Sequence, residues 1–339
     1  MTATTQSAST TAAAGSGVRA RLSGFFNQDV VLALLVVTLT IFVWLVNPRF
    51  LAQRNVLDML NNSSYIAVAA IGMTMVIISG NIDISVGSLI GLLATISGQI
   101  AIGAQDGGYP LWIAFIVPLF VGALIEAFIG FLVAYLRIPS IVVSLGMFSI
   151  LKGALILWTN GVWIYNLPDD FMLAQQAPLG VPVPIYFMVI LTILAALWMK
   201  YSATGRAIYA VGGNREAARL SGISEKATIM KVFIINGVMV GIASILFATQ
   251  FNAIQSTVPP GLELFIITAS VVGGVSILGG TGTVIGSTLG SILLHVIRFG
   301  MQFVDVSQYW LQAVQGILIL VTVMVDLLRR RRQSYSGRG

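Results

Sequence analysis

The chain has 339 residues, 57% of them hydrophobic and 9% charged, with a mean hydropathy of +0.94 and a formal net charge of +6. A soluble domain carries about 25% charged residues, so this chain has too few to coat a surface in water and reads as an integral membrane protein. It has no cysteine and one histidine, which excludes disulfides and thiolate metal sites and leaves little from which to build a metal centre.

Residues 1–28 open with "MTATTQSASTTAAAGSGV", which is small, polar and without an apolar face, and they are expected to form a disordered tail. A helix crosses the hydrocarbon core with about 20 mainly apolar residues. Ten segments qualify, some of them short: 30–46, 62–79, 85–102, 110–136, 140–158, 184–199, 228–250, 262–279, 283–300 and 309–328. They predict an all-α integral membrane protein of about ten transmembrane helices, with a polytopic domain over 29–328 and a basic tail over 329–339. The first span has no small-residue cleavage site and is read as uncleaved.

The cations report orientation and do not mark nucleic acid as a partner. With the amino terminus inside the cell, fourteen of the eighteen lysines and arginines fall on the inner side, and only Arg49 and Arg54 on the outer. This positive-inside bias predicts cytoplasmic termini and an even number of spans. The outer loops "AQDGGY" (104–109), "PDDFMLAQQAPLG" (168–180) and "FNAIQSTVPPG" (251–261) carry no cation and are rich in turn formers. No loop is long enough to fold a catalytic domain, so any energy source is a gradient or another protein.

Two glycine-rich breaks interrupt the apolar pattern: "GNIDISVGSLIG" (80–91) and "GGTGTVIGSTLG" (279–290). In lipid such breaks are tolerated only where protein or water covers them. They share four of twelve positions, which marks a recurring broken-helix device and not an inverted repeat. Asp83, with Ser85 beside it, has two compatible readings: a cap for the helix that starts there, and a carboxylate that lines or organises a polar pathway. Asn81, Asp83, Ser85 and Glu126 are the candidate substrate-pathway or gate residues. Glu126 lies mid-span with no cation one turn away and is expected to face the protein interior, with Lys152 as one possible partner. His295 reads as an interhelical hydrogen bonder and Arg298 as a snorkelling cation. "GGVSILGGTGT" (273–283) has the glycines of a P-loop and lacks its lysine, so the chain is not expected to hydrolyse ATP.

The segment "KYSATGRAIYAVGGNREAARLSGISEKATIMK" (200–231) is the main soluble stretch. "GGNREAARL" reads as a helix start and Gly222 as its stop. Ala217, Ala218 and Leu220 give this short helix a small apolar face that needs something to dock against.

Four motifs in order, "AIGMTMVIISGNIDISVGS" (70–88), "IPSIVVSLG" (138–146), "YAVGGNREAARLSGI" (209–223) and "VVGGVSILGGTGTVIGSTLGS" (271–291), carry a resemblance. The chain resembles the membrane permease subunits of bacterial ABC sugar importers of the ribose, xylose, rhamnose and autoinducer-2 type, related more distantly to branched-chain amino-acid permeases. The resemblance implies a transport subunit without enzymatic activity or cofactor, in the bacterial inner membrane. It implies a second permease copy or sister permease, cytoplasmic ATP-binding subunits and a periplasmic solute-binding protein, moving a monosaccharide or related polyol-like solute. Glu216, Ala217, Ala218 and Gly222 match the coupling motif E-A-A-x3-G. The coupling loop spans 200–228, and within it Gly213, Asn214, Arg215, Arg219 and Leu220 complete the expected ATPase contact. "VFII" (232–235) lacks the proline that ends the family motif. Relatives often carry Asn-Gly where Ile129 and Gly130 stand, and a small residue in place of Glu126. A rival reading, an ion-coupled secondary transporter using Asp83 and Glu126, leaves "GGNREAARLSG" without a purpose.

Overall fold

The computed structural model describes residues 28–105, 107–257, 259–307 and 309–336. Twelve α-helices occur among them: α1 (Gln28–Val46), α2 (Gln53–Ile78), α3 (Val86–Gln105), α4 (Trp112–Ala134), α5 (Ser140–Thr159), α6 (Val183–Tyr201), α7 (Ala203–Gly213), α8 (Arg215–Leu220), α9 (Glu225–Ala248), α10 (Leu262–Val272), α11 (Val284–Phe303) and α12 (Trp310–Ser336). The expected tail over 1–28 lies outside the described residues apart from Gln28.

Each of the ten apolar segments forms a helix. Eight helices are long and apolar enough to cross a membrane, while α10 and the apolar part of α12, Trp310–Met324, are shorter. The span expected over 262–279 is therefore corrected: α10 has 11 residues and gives way to an irregular segment over 273–283. Gly274, Gly279 and Gly280 take positive φ there, at 95°, 83° and 77°, a backbone open to glycine but not to a continuing helix. The segment over 200–231 holds more helix than its charge suggested. Ser202 Oγ accepts from Gly205 N at 2.8 Å and caps α7, and Ile208 and Val211 are buried on its inner face.

The bundle is organised around α2, which is buried from Ser63 to Ile78. The outer helices expose large apolar side chains, such as Phe120, Leu124, Leu157 and Leu194. Lipid offers no hydrophobic reward for bringing helices together, so association relies on close packing between small residues. Gly237 and Gly241 form a G-x-x-x-G face on α9. A Cβ at Gly237 meets the backbone of Gly122 and, at 2.8 Å, Ala123 Cα of α4; one at Gly241 meets Leu119 Cα at 2.8 Å. α10 and α11 cross in the same way, Gly273 against Gly286 and Ala269 against Gly290.

At one end of the bundle the loops knit together. Ile164 and Ile254 exchange backbone hydrogen bonds at 3.0 and 2.9 Å, and Phe171 and Met172 close over Ala101 and Ala114. At the other end lie α7, α8 and both helix breaks.

Gly237→Ala is expected to lower stability by about 2 kcal/mol through overpacking at the α4–α9 crossing. Gly146→Ala, whose Cβ meets nothing within 4 Å, is expected to be neutral or to stabilise by up to about 1 kcal/mol through helix propensity. Thermal unfolding of the detergent-purified variants checks both.

Candidate functional site

The first break begins where α2 ends. Gly80 takes φ +79°, Gly80 N donates to Ile77 O and Asn81 N to Val76 O, and the chain is non-helical, turning at residues 84–85, until α3 starts at Val86. Ile82 N donates to Ser140 Oγ at 3.1 Å, tying the break to the start of α5. Asp83 is fully buried and accepts three hydrogen bonds. Its Oδ1 receives Ser85 N at 2.9 Å and Ser85 Oγ at 2.6 Å. Its Oδ2 receives Asn236 Nδ2 from α9 at 3.0 Å. Asp83 thus closes the turn that leads into α3 and pins that turn to a neighbouring helix.

Glu126 is also fully buried and faces Asp83 and Asn236, although neither of its oxygens reaches hydrogen-bond geometry with them. Neither carboxyl is in an ion pair among the described residues. The suggested Lys152 partner is corrected: Lys152 is exposed, with its Nζ over the Phe148 ring at 5.8 Å. The group that does meet both acids, Asn236, was missed by sequence reasoning. Its signal was present as the only amide inside an otherwise apolar run, "VFIINGVMVG" (232–241).

The second break packs on the first, and α7 on both. Gly280 N donates to Ile78 O at 2.8 Å. A Cβ on Gly279 meets Gly80 Cα and Gly212 O at 3.0 Å, one on Gly280 meets Gly213 Cα at 2.7 Å, and one on Gly212 meets Ile78 O and Gly280 N. Three stretches of backbone therefore touch with no side chain between them. Tyr209 Oη donates to Gly282 O at 2.8 Å. Burial, then the Asp29 carboxylate, raises the Tyr209 phenol above its usual pKa, so it remains a neutral donor at physiological pH. Thr283 Oγ1 donates to Asp29 Oδ1 at 2.7 Å, which brings α1 to the same place.

α8 follows directly. Asn214 Oδ1 accepts from Ala217 N at 3.0 Å and caps it, and Gly222 stops it with φ +79°. Arg215 reaches Gly80 O at 3.4 Å and pairs with Glu225 at 3.1 Å. Glu216 and Arg219 pair with each other at 2.6 Å. Of the expected apolar face, Ala218 turns inward while Ala217 and Leu220 are exposed; Gly213 is open, with nothing within 4 Å of its Cβ position. A pocket of about 660 Å³ lies between α8 and the first break, lined by Asn81, Arg137, Ser140, Arg215, Glu216 and Lys226 among others. The structure thus brings Asn81 to the pocket, Asp83, Ser85 and Glu126 to a buried cluster behind it, and, of the expected coupling residues, Arg215, Glu216 and Arg219 to the pocket's lining, while Gly213, Asn214, Ala217, Ala218, Leu220 and Gly222 are not among it.

A lipid-facing bundle in which two broken helices meet an exposed capped helix has the form of a transport permease. The chain belongs to the branched-chain amino acid transport system permease component family, whose model matches residues 55–323; its members are membrane subunits of ABC importers and not enzymes. The autoinducer 2 import system permease protein LsrC of Enterobacter sp. (strain 638) is 38% identical over 283 residues, covering 83% of this chain and 81% of that protein. The same-named proteins of Salmonella typhi and Escherichia coli (strain K12 / DH10B) are 34% and 33% identical over 318 residues, covering 91% of this chain and 90% and 92% of theirs. No solved structure matches the chain.

Gly212→Ala is expected to abolish transport by the assembled importer, because its Cβ displaces the Ile78–Gly280 contact, whereas Gly213→Ala one residue further is expected to retain it. Asp83→Ala leaves Ser85 N and Asn236 Nδ2 without their acceptor, at a cost of about 1–3 kcal/mol per stranded group; the melting temperature and assembly yield of the purified complex check this.

Proposed function

We propose that this chain is the membrane subunit of an ATP-driven importer for autoinducer 2 or a closely related sugar-like solute. The named relatives support the solute, and the E-A-A-x3-G helix supports the motor. In this reading the protein sits in the bacterial inner membrane with both termini in the cytoplasm, in keeping with the placement of its cations. Two ATP-binding subunits dock at α8, and a solute-binding protein delivers cargo at the opposite end. A second copy or a sister permease completes the membrane unit. The chain divides into a tail over 1–28, the transmembrane domain over 29–328 with its coupling loop at 200–228, and a basic tail over 329–339.

The observation that carries this reading is the backbone junction of Ile78, Gly80, Gly212, Gly279 and Gly280. ATP binding closes the motor pair and displaces α8. Because the end of α7 is wedged against both helix breaks, they move with it, and the motion passes into α2, α3, α10 and α11 as a rigid-body shift. ATP biases the equilibrium only by its different affinity for the two states. Asp83 and Asn236 keep the first break attached to α9 during the shift, with Ser85 holding the turn. Asn81 lines the inner mouth, where Glu126 lies behind the gate.

The buried Asp83 and Glu126 carboxyls are the one feature that favours the rival, proton-coupled reading. Uptake into proteoliposomes separates the two. Autoinducer 2 is expected to accumulate only with the ATP-binding subunits, ATP and the solute-binding protein present, and to continue when proton and sodium gradients are collapsed. Uptake by the chain alone that stops with the gradient establishes the rival instead.

A further inference from the structure

The brevity of α10 has a consequence at the end of the bundle away from α8. Its 11 residues cover about 16 Å of a hydrocarbon core about 30 Å thick. Above its start the chain is a loop, and a recess of about 340 Å³ opens there, lined by Tyr65, Gly261, Phe265, His295, Arg298 and Gln315 among others. A second recess of about 540 Å³ shares Tyr65, Pro259 and Arg298 with it and adds Trp163, Asn252 and Gln255. The two are therefore adjoining parts of one vestibule. Tyr65 lies thirteen residues before the end of α2, about 20 Å along the helix from the first break.

Three of the four polar residues here are buried and the fourth, Arg298, is half-buried. His295 is 1% exposed. Its Nδ1–H donates to Ser291 O at 2.9 Å, which leaves Nε2 as an acceptor with no partner among the described residues. Tyr65 and Gln315 are each 8% exposed and, like Arg298, make no side-chain hydrogen bond and no ion pair among the described residues. Among the described residues no acid lines either recess. α10 itself begins at Gly261 without a side-chain cap. Polar groups on buried residues are ordinarily hydrogen-bonded, so the Tyr65 hydroxyl, His295 Nε2 and the Gln315 amide, joined on one cavity by the half-buried Arg298 and all without a hydrogen-bond partner among the described residues, point to a ligand that completes them. The set holds donors (the Arg298 guanidinium and the Gln315 amide), an acceptor (His295 Nε2) and a group that does both (the Tyr65 hydroxyl). An anion needs only donors. Hydroxyl groups, which donate and accept together, use all four.

We propose that the recess bounded by Tyr65, His295, Arg298 and Gln315 is a binding site for a small polyhydroxylated solute on its way through the permease. Phe265 and Trp163 offer apolar faces to the C–H side of such a molecule. This rests on the reading of the chain as a permease for a sugar-like solute. It gives Arg298 a role beside that of a snorkelling cation, and it adds a contact with cargo at the far end of the bundle from the Asp83 cluster.

Because the chain has no cysteine, a single Gln312→Cys at the rim of the recess is a clean reporter. In the purified complex its maleimide labelling is measured with autoinducer 2, D-ribose, L-rhamnose or inorganic phosphate added. At least one of the three hydroxylated probes is expected to slow labelling in the millimolar range, while Leu179→Cys, on an exposed outer loop, labels unchanged. Tyr65→Phe, which keeps shape, and Arg298→Gln, which removes the guanidinium and keeps a shorter polar side chain, are each expected to raise the concentration for half-protection about fivefold, the effect of one lost hydrogen bond. No protection by any of the three, equal slowing at Leu179→Cys, protection by phosphate alone, or unchanged protection in both variants overturns the site. Failure of the importer reading shows elsewhere, in uptake that needs no ATP, and leaves the protection result to stand or fall by itself.

Discussion

A helix that stops inside a membrane strands backbone groups that lipid does not solvate, and each unpaired group costs several kcal/mol. Two helices of this permease stop, α2 at Ile78 and α10 at Val272, and their loops meet at one point. The hydrogen bond from Gly280 N to Ile78 O is where each break supplies what the other lacks. The approach is possible because Gly80, Gly212, Gly279 and Gly280 carry no side chain that would hold the three strands of backbone apart. From this requirement the rest follows: the glycine-rich sequences, the placement of α7, and a direct mechanical connection from α8 to both breaks.

The same requirement explains a carboxylate at position 83. The groups that hydrogen-bond to it are all donors, namely Ser85 N, Ser85 Oγ and Asn236 Nδ2. A carboxylate accepts at both oxygens, whereas an asparagine turns an NH2 toward one of these donors. Asp83 is thus an acceptor matched to its surroundings, and the cap and the interhelical tie are one interaction. Glu126, beside it and without a hydrogen bond, adds a second acid to a site that already has its acceptor. Both Glu126 oxygens and Asn236 Oδ1 are buried there without a hydrogen-bond partner among the described residues, which suits an element that changes state more than one that only supports.

Much of this architecture was legible in the sequence. Apolar length located all ten helical segments, and the two glycine-rich runs located both breaks. The cap at Asn214 and the stop at Gly222 lay where their residue types place them. Hydropathy failed where composition and conformation part company. "VVGGVSILGG" (271–280) is as apolar as a helix, but Gly274, Gly279 and Gly280 sit at positive φ, so a full span became α10 and a loop. α7 was hidden because a charged window around Arg206 masks the Ile208 and Val211 stripe. Asn236 stood out as a lone amide in an apolar run, but its tie to Asp83, like the Tyr65, His295, Arg298 and Gln315 group, was not recoverable from spacing, since the members come from different helices and only packing brings them together.

The central claim is that α8, α7 and both breaks move as one body. Spin labels at Leu220→Cys on α8 and Leu278→Cys in the second break, both exposed positions, report the distance across the junction, and a third at Leu157→Cys on α5 gives an outside reference. Pulsed electron–electron distance measurements on the assembled importer, with and without ATP, test the claim directly. The account predicts that the 220–278 distance stays fixed while the 278–157 distance changes. A nucleotide-dependent change in the 220–278 distance with 278–157 unchanged contradicts it, because α8 then moves without carrying the breaks along.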